Sequence, residues 1–412
     1  MSGFQSRFHY GWVVCVGCML LTTVTMGMIA SIAFSVYLPY IAKHGSFSGV
    51  GVSFIITVRS VFTLVGMFVL PAYYKKLDIR AGAALSAVMA ALTFVVYGLA
   101  ENLFLYYAGA AVAGIAYGLG SMIPVSIVIN RWFVEKRALA IGIASCGTGI
   151  ATLIVPPSLA LLIAAFGLKT TMYIEAGVIL LVAAFIFLSL RNDPSLLGYA
   201  AYGTGAASAH KKAGSKRDMS PPERLMLSAA MAMFGAVAIL SSTNISLLLT
   251  SQGQSSAASA LAISVMGVVL TISKILYGKL TDALGAYRSN YIFSALLLAG
   301  LVVSCTVNRT GKIGMYASIV LMGVGYPIAL VGLSIWAGDF SVEARYAEAV
   351  KRLQIAYQLG GLLFSALPGF LADVTGSYAP AYLLFCVLLV ASMTIVQSMY
   401  RRFALPPKAN LR

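Results

Sequence analysis

Residues 271–288 read TISKILYGKLTDALGAYR. The opening part closes an apolar run that starts near Ala258 and ends near Tyr277, long enough to cross about 30 Å of hydrocarbon as a helix. The rest is a short charged break flanked by Gly278 and Gly285, residues that punctuate helical runs. Lys274 puts a charge inside the run, one helical turn before Gly278. The same alternation recurs in both directions. Twelve spans are predicted, approximately Trp12 to Tyr40, Val50 to Tyr74, Ala81 to Ala100, Leu103 to Ile129, Ala138 to Phe166, Thr170 to Leu190, Leu225 to Leu249, Ala258 to Tyr277, Asn290 to Val307, Gly314 to Trp336, Tyr346 to Leu371 and Pro380 to Tyr400.

Composition agrees. The 412 residues are 60% hydrophobic and 10% charged, where a soluble domain carries about 25% charged residues. There is too little polar surface to cover a water-facing globule, and too much apolar content for a disordered chain. The first span is too long and too weakly bounded for a cleaved signal peptide. Cys15, Cys18, Cys146, Cys305 and Cys386 all fall inside apolar runs, which indicates neither a disulfide framework nor a zinc site.

The net charge of +16, from 28 Lys+Arg against 12 Asp+Glu, sorts by loop. With the N-terminus in the cytoplasm, Arg7, Lys75, Lys76, Arg80, Arg131, Lys136, Arg137, the cluster from Arg191 to Arg224, Lys279, Arg288, Arg345, Arg401, Arg402, Lys408 and Arg412 share one side. The other side receives Lys43, Lys169, Arg309 and Lys312. The positive-inside rule then places both termini in the cytoplasm, in a plasma (inner) membrane. Anionic lipid headgroups are the natural partner of this charge, and nucleic acid is not needed to explain it.

Residues 191–224 are rich in Gly, Ala and Ser, then basic, and close with Pro221 and Pro222. They read as a flexible cytoplasmic linker between a six-span unit at 1–190 and a second at 225–412. The units repeat. VEKR at 134–137 and VEAR at 342–345 follow the fourth and tenth spans 208 positions apart, and the same offset carries Arg80 onto Arg288. The expected fold is therefore an all-α integral membrane protein of two pseudo-symmetric six-helix bundles, the symmetry of alternating-access carriers.

The break at 278–288, GKLTDALGAYR, resembles the G-x-x-x-D-x-x-G loop of the major facilitator superfamily through Gly278, Asp282 and Gly285, with Arg288 following. In the first half the counterpart PAYYKKLDIR at 71–80 has Lys75 where the signature has its aspartate. HYGW at 9–12, NRWFVEKRALAIG at 130–142 and GTG at 147–149 are together similar to the oxalate:formate antiporters and the related monocarboxylate transporters. The resemblance implies a major facilitator fold whose cytoplasmic loops, with Arg80, Glu135, Arg137, Gly278, Asp282, Gly285, Arg288, Glu343 and Arg345, govern the conformational change. It also implies a basic residue on the eighth span that holds a substrate carboxylate. That position is Lys274, where those antiporters carry arginine. Lysine offers a point charge in place of a planar fork, which favours a monoanion over a dicarboxylate. The antiporters' second basic residue, on the eleventh span, meets Tyr357 or Gln358 here.

Charge inside a bilayer marks a pathway or a pair, because it costs at least about 2.5–3.5 kcal/mol. Besides Lys274, Arg59 lies in the outer half of the second span, and Lys351 and Arg352 open the eleventh. Arg59 either faces a cavity or snorkels to the outer interface. Lys351 and Arg352, being adjacent on a helix, cannot both face one cavity. All acidic residues fall in loops or within about two turns of a span end, so the substrate is expected to be the counter-ion of Lys274, and a dedicated proton relay is not expected. Aromatic candidates for the site are Tyr326 on the tenth span, Tyr117 on the fourth, and Phe34 and Tyr37 on the first.

The function expected is secondary transport of a small organic anion, a monocarboxylate first, by exchange or with a proton. A carrier of a neutral or cationic solute and a non-transporting sensor or scaffold are the alternatives. No nucleotide-binding loop, metal cluster or nucleophile–base pair stands out, so neither an enzyme nor a cofactor is expected, and the chain is expected to be a monomer.

Overall fold

A computed structural model describes residues 9–29, 37, 40–41, 47, 49–203 and 219–403. Phe34 lies outside them. Among the described residues, twelve helices are long and apolar enough to cross a membrane: α1 Gly11–Met28, α2 Phe54–Lys76, α3 Ile79–Leu99, α4 Leu103–Trp132, α5 Arg137–Leu159, α6 Leu161–Ser189, α7 Pro221–Thr243, α8 Leu261–Leu284, α9 Ala286–Ser304, α10 Val307–Phe340, α11 Glu343–Thr375 and α12 Ala379–Phe403. The chain divides into two compact units, 1–212 and 213–412, with α1–α6 in the first and α7–α12 in the second.

Each unit packs small and large apolar residues inside and leaves other large apolar side chains exposed on its surface. Ala83, Ala87, Ala90, Phe94 and Trp132 are buried in the first, whereas Phe68, Leu181 and Leu188 are exposed. In water such a surface would aggregate; in lipid it is the solvated face.

Helix ends follow local chemistry. The Asp78 carboxylate caps α3 by accepting from the Ala81 N–H, and Asn102 does the same for α4 with the Leu105 N–H. Ser220 and Glu223 form a capping box with Pro221 at the first turn of α7. Gly285 separates α8 from α9 at φ 82°, ψ 155°, a conformation that only glycine adopts without strain. The glycine of the 278–288 loop is thus a backbone requirement. The equivalent turn in the first unit uses the Asp78 cap instead, which is why that loop dispenses with the glycine.

Close helix approach is concentrated at matched places. A side chain on Gly147 of α5 would collide with the Met19 carbonyl and Thr22 of α1. In the second unit, one on Gly235 of α7 would strike the Tyr357 carbonyl, and one on Gly360 of α11 would strike the Ala232 carbonyl. Gly27, which meets Ala151 of α5, stands 208 positions before Gly235. The internal repeat therefore extends from the loops to the helix contacts.

The segment after α6 departs from the linker reading. Residues 191–203 are built structure, packed on the first unit. Pro194–Leu197 form a 3-10 turn capped by Asp193, whose carboxyl is held below its ordinary value by the Ser195 hydroxyl and backbone N–H. The Tyr202 N–H donates to the Trp132 carbonyl at 2.8 Å, and the Tyr202 carbonyl accepts from the N–H groups of Val134 and Glu135. The Trp132 indole N–H donates to the Arg191 carbonyl at 2.9 Å, and His9 Nε2 meets the Ala200 carbonyl at 3.0 Å. His9, Tyr199 and Tyr202 close the cluster as ring contacts. The HYGW and NRWFVEKR stretches, read separately in the sequence, thus form one clasp joining the start of α1, the α4–α5 loop and the tail of α6. Replacing the fully buried Trp132 by alanine removes its centre, at about 3–5 kcal/mol. Hydrogen exchange across 191–203 should then accelerate at least tenfold while α7–α12 stay unchanged.

Candidate functional site

Lys274 lies near the middle of α8 and is 2% exposed, among the largest fully buried side chains of the chain, with buried Ser273 beside it. An ammonium at that depth is not a lipid-surface lysine.

The second unit adds a polar cluster. In α10 the helix is interrupted at Tyr326, between segments Val307–Gly325 and Pro327–Phe340. The Tyr326 hydroxyl is 2.7 Å from the Ser241 hydroxyl of α7, and the Tyr382 hydroxyl of α12 donates to the Ser241 carbonyl. Tyr357 is buried on α11 while Gln358 is half-buried. Gln354, three residues earlier, is fully buried, and neither its amide nitrogen nor its oxygen has a hydrogen-bond partner among the described residues. Burying an unsatisfied amide costs about 1–3 kcal/mol, so Gln354 joins the candidates. The sequence reading missed it because an uncharged residue in a span attracts no attention until its partners are known.

Lys351 and Arg352 are both half-buried, and Arg352 lines a small crevice with Arg224, Arg345 and Glu348. It belongs with the loop at the start of α11. Of the loop candidates, Gly278 is buried, Asp282, Gly285, Arg288, Glu343, Arg345 and Glu135 are exposed, and Arg137 is half-buried. Arg80 stacks 4.0 Å over the Phe187 ring, and its backbone N–H donates to the Asn192 side chain, tying α3 to the end of α6.

In the first unit Arg59 is 9% exposed and donates through Nη1 to the Ile29 carbonyl at 3.0 Å. Tyr97 and Tyr117 are near enough to interact with it electrostatically. The Arg59 guanidinium lies at the carbonyl end of the π-helical stretch Thr23–Met28. Tyr37 is buried too, its ring 5.9 Å from Phe94, with the Glu175 carboxyl beside its hydroxyl.

Glu175 lies about two turns into its helix, as expected of the acids, and is nevertheless buried. It is 5% exposed, eight residues beyond the non-helical Gly167. At 1.5 Å rise per residue that is about 12 Å along the helix. Proximity to a span end, counted in turns, does not mean proximity to water.

Helix interruptions recur at matching places in the two units. Segment Leu103–Leu119 gives way to Met122–Trp132 in α4, as Val307–Gly325 gives way to Pro327–Phe340 in α10. Paired discontinuous helices are where carriers place solute and ion sites.

The sequence profile described as Major Facilitator Superfamily matches residues 19–201 and 225–410, covering most of both units. The chain belongs to the major facilitator superfamily. Within that superfamily it is 25% identical to the rat protein named monocarboxylate transporter 12, over 91% of this chain and 82% of that one. It is 24% identical to human monocarboxylate transporter 11, over 91% and 80% respectively. Among solved structures, the proton:xylose symporter XylE superposes with a TM-score of 0.73 at 13% identity, covering 94% of this chain and 95% of its own. The human organic anion transporter MFSD10 gives 0.70 at 12% identity, covering 94% and 99%. These superpositions show the major facilitator fold. The chain is a multi-pass membrane protein of a family of transporters.

Proposed function

We propose that this chain is a secondary carrier of a small organic anion, a monocarboxylate first, working by alternating access in a plasma (inner) membrane with both termini cytoplasmic. The observation that carries the reading is the burial of Lys274 at mid-span. A charge there is costly, and a carboxylate substrate supplies the interaction that offsets the cost when it binds. The relatives named monocarboxylate transporters support the same substrate class. The experiment is uptake of labelled lactate-like monocarboxylates into proteoliposomes, competed by monocarboxylates, by oxalate and by uncharged sugars. Competition by monocarboxylates above all is the expected result; competition by sugars alone overturns it.

Glu175 favours proton coupling over pure exchange, because a buried carboxyl beside a phenol is a group that takes up and releases a proton as its surroundings open. Glu175→Gln holds the shape of the protonated acid. Uptake driven by an inward proton gradient should fall at least tenfold in this variant, while exchange of internal for external carboxylate at equal pH continues. Loss of both activities together would assign Glu175 to folding or binding instead.

A further inference from the structure

Between α9 and α12, on the second unit, runs a groove of about 380 Å³. Its lining changes character along its length. Leu298, Leu389 and Val390 form one end, Thr394 and Gln397 the middle, and Arg401 the other end. From Val390 to Arg401 is eleven residues of helix, about 16 Å.

Two features make this more than an apolar face. Arg401 is exposed, and the partners of its guanidinium are neutral: Nε donates to the Tyr287 hydroxyl at 3.1 Å, and Nη2 to the Tyr291 hydroxyl at 3.4 Å. No carboxylate pairs with it among the described residues; the nearby Asp339 accepts from Tyr400 on the adjoining face of α12. Its positive charge is therefore held in place by two tyrosines and left available, with Arg402 next to it. Second, Gln397 is only 4% exposed, and its amide N–H donates to the Tyr287 carbonyl, while Oε1 has no hydrogen-bond partner among the described residues. Gln397 lines the groove one turn below Arg401.

We propose that this groove binds an anionic phospholipid, with phosphatidylglycerol as the matching chemistry. The phosphate pairs with Arg401 in the fork geometry that arginine gives to phosphate. Thr394 and Gln397 give the middle of the groove the polarity that the ester region of a lipid meets. One acyl chain runs along Leu389, Val390 and Leu298. The order apolar, polar, cationic along the groove is the order acyl chain, ester, phosphate along a lipid, and basic clefts between helices at the membrane surface are known to take such headgroups. The site is separate from Lys274 and independent of which solute is carried.

The test is native mass spectrometry of the full chain in detergent, with phosphatidylglycerol or phosphatidylcholine of equal acyl length. Wild type should retain phosphatidylglycerol at least tenfold better than phosphatidylcholine. Arg401→Gln, at an exposed position that leaves the fold intact, should abolish that preference. Thr394→Trp, which fills the middle of the groove, should lower retention of both lipids. Equal retention of the two lipids by wild type, or unchanged preference in Arg401→Gln, overturns the proposal. So does the appearance of dimers that Thr394→Trp dissociates, which would make a second copy of the chain the occupant.

Discussion

Lys274→Ala abolishes concentrative uptake of small carboxylates, lowering apparent affinity by about 30-fold or more. The magnitude follows from the loss of one partner of a desolvated charge pair, about 2–5 kcal/mol, of which the lower bound already corresponds to that factor. A more telling comparison is with Lys274→Arg. The guanidinium keeps the charge and adds a planar pair of donors, so monocarboxylate transport persists and oxalate becomes the better competitor. Uncharged Lys274→Gln behaves as alanine. Because Lys274 is 2% exposed, its removal also changes packing, so melting temperature is measured beside uptake. A variant that is stable yet transports carboxylate at wild-type affinity sinks the anion assignment, whereas one that merely melts early and still transports assigns Lys274 to structure.

Gly360→Leu prevents accumulation of folded protein. Its α-carbon faces the Ala232 carbonyl of α7 closer than any side chain could stand, and the neighbouring Gly235 faces the Tyr357 carbonyl of α11 in the same way. Both obstacles are backbone, so no rotamer change relieves them. Overpacking of a well-filled core costs about 1–3 kcal/mol, and here two helices must separate along their shared face. Size-exclusion of detergent extracts should show Gly360→Leu as aggregate. Gly177 on α6 has open space where a Cβ would sit, so Gly177→Ala should be monodisperse and at least as stable, since glycine within a helix costs about 0.5–1 kcal/mol relative to alanine. Equal behaviour of the two variants would mean that the α7–α11 contact is not what the fold depends on.

Arg80 and Arg288 were equivalent in the sequence, and the fold separates them. Arg80 is stacked on Phe187, Arg288 is exposed, and the corresponding clasp in the second unit is made by Arg401 with Tyr287 and Tyr291. Equivalent loops at one offset thus share topology without sharing contacts. The residues of 191–203 are built structure for a related reason. Their Gly and Ala content signals looseness only when the backbone has nothing to bond to, and Tyr202 has the Trp132 carbonyl and two N–H donors waiting.

The sequence by itself determined the membrane, the twelve spans and the doubled architecture, and singled out Lys274 as a candidate. Each of these rests on a local quantity: the length of an apolar run, the sign of a loop, the period of a repeat, the cost of one charge in hydrocarbon. Only the tertiary structure decided what depends on neighbours far along the chain. It turned Arg59 inward to the Ile29 carbonyl and placed Glu175 beside Tyr37, out of reach of the water that its position near a span end suggested. It left both the amide nitrogen and the oxygen of Gln354 without a hydrogen-bond partner among the described residues. Burial and hydrogen-bond satisfaction are properties of a packed neighbourhood, and no reading of one helix at a time supplies them.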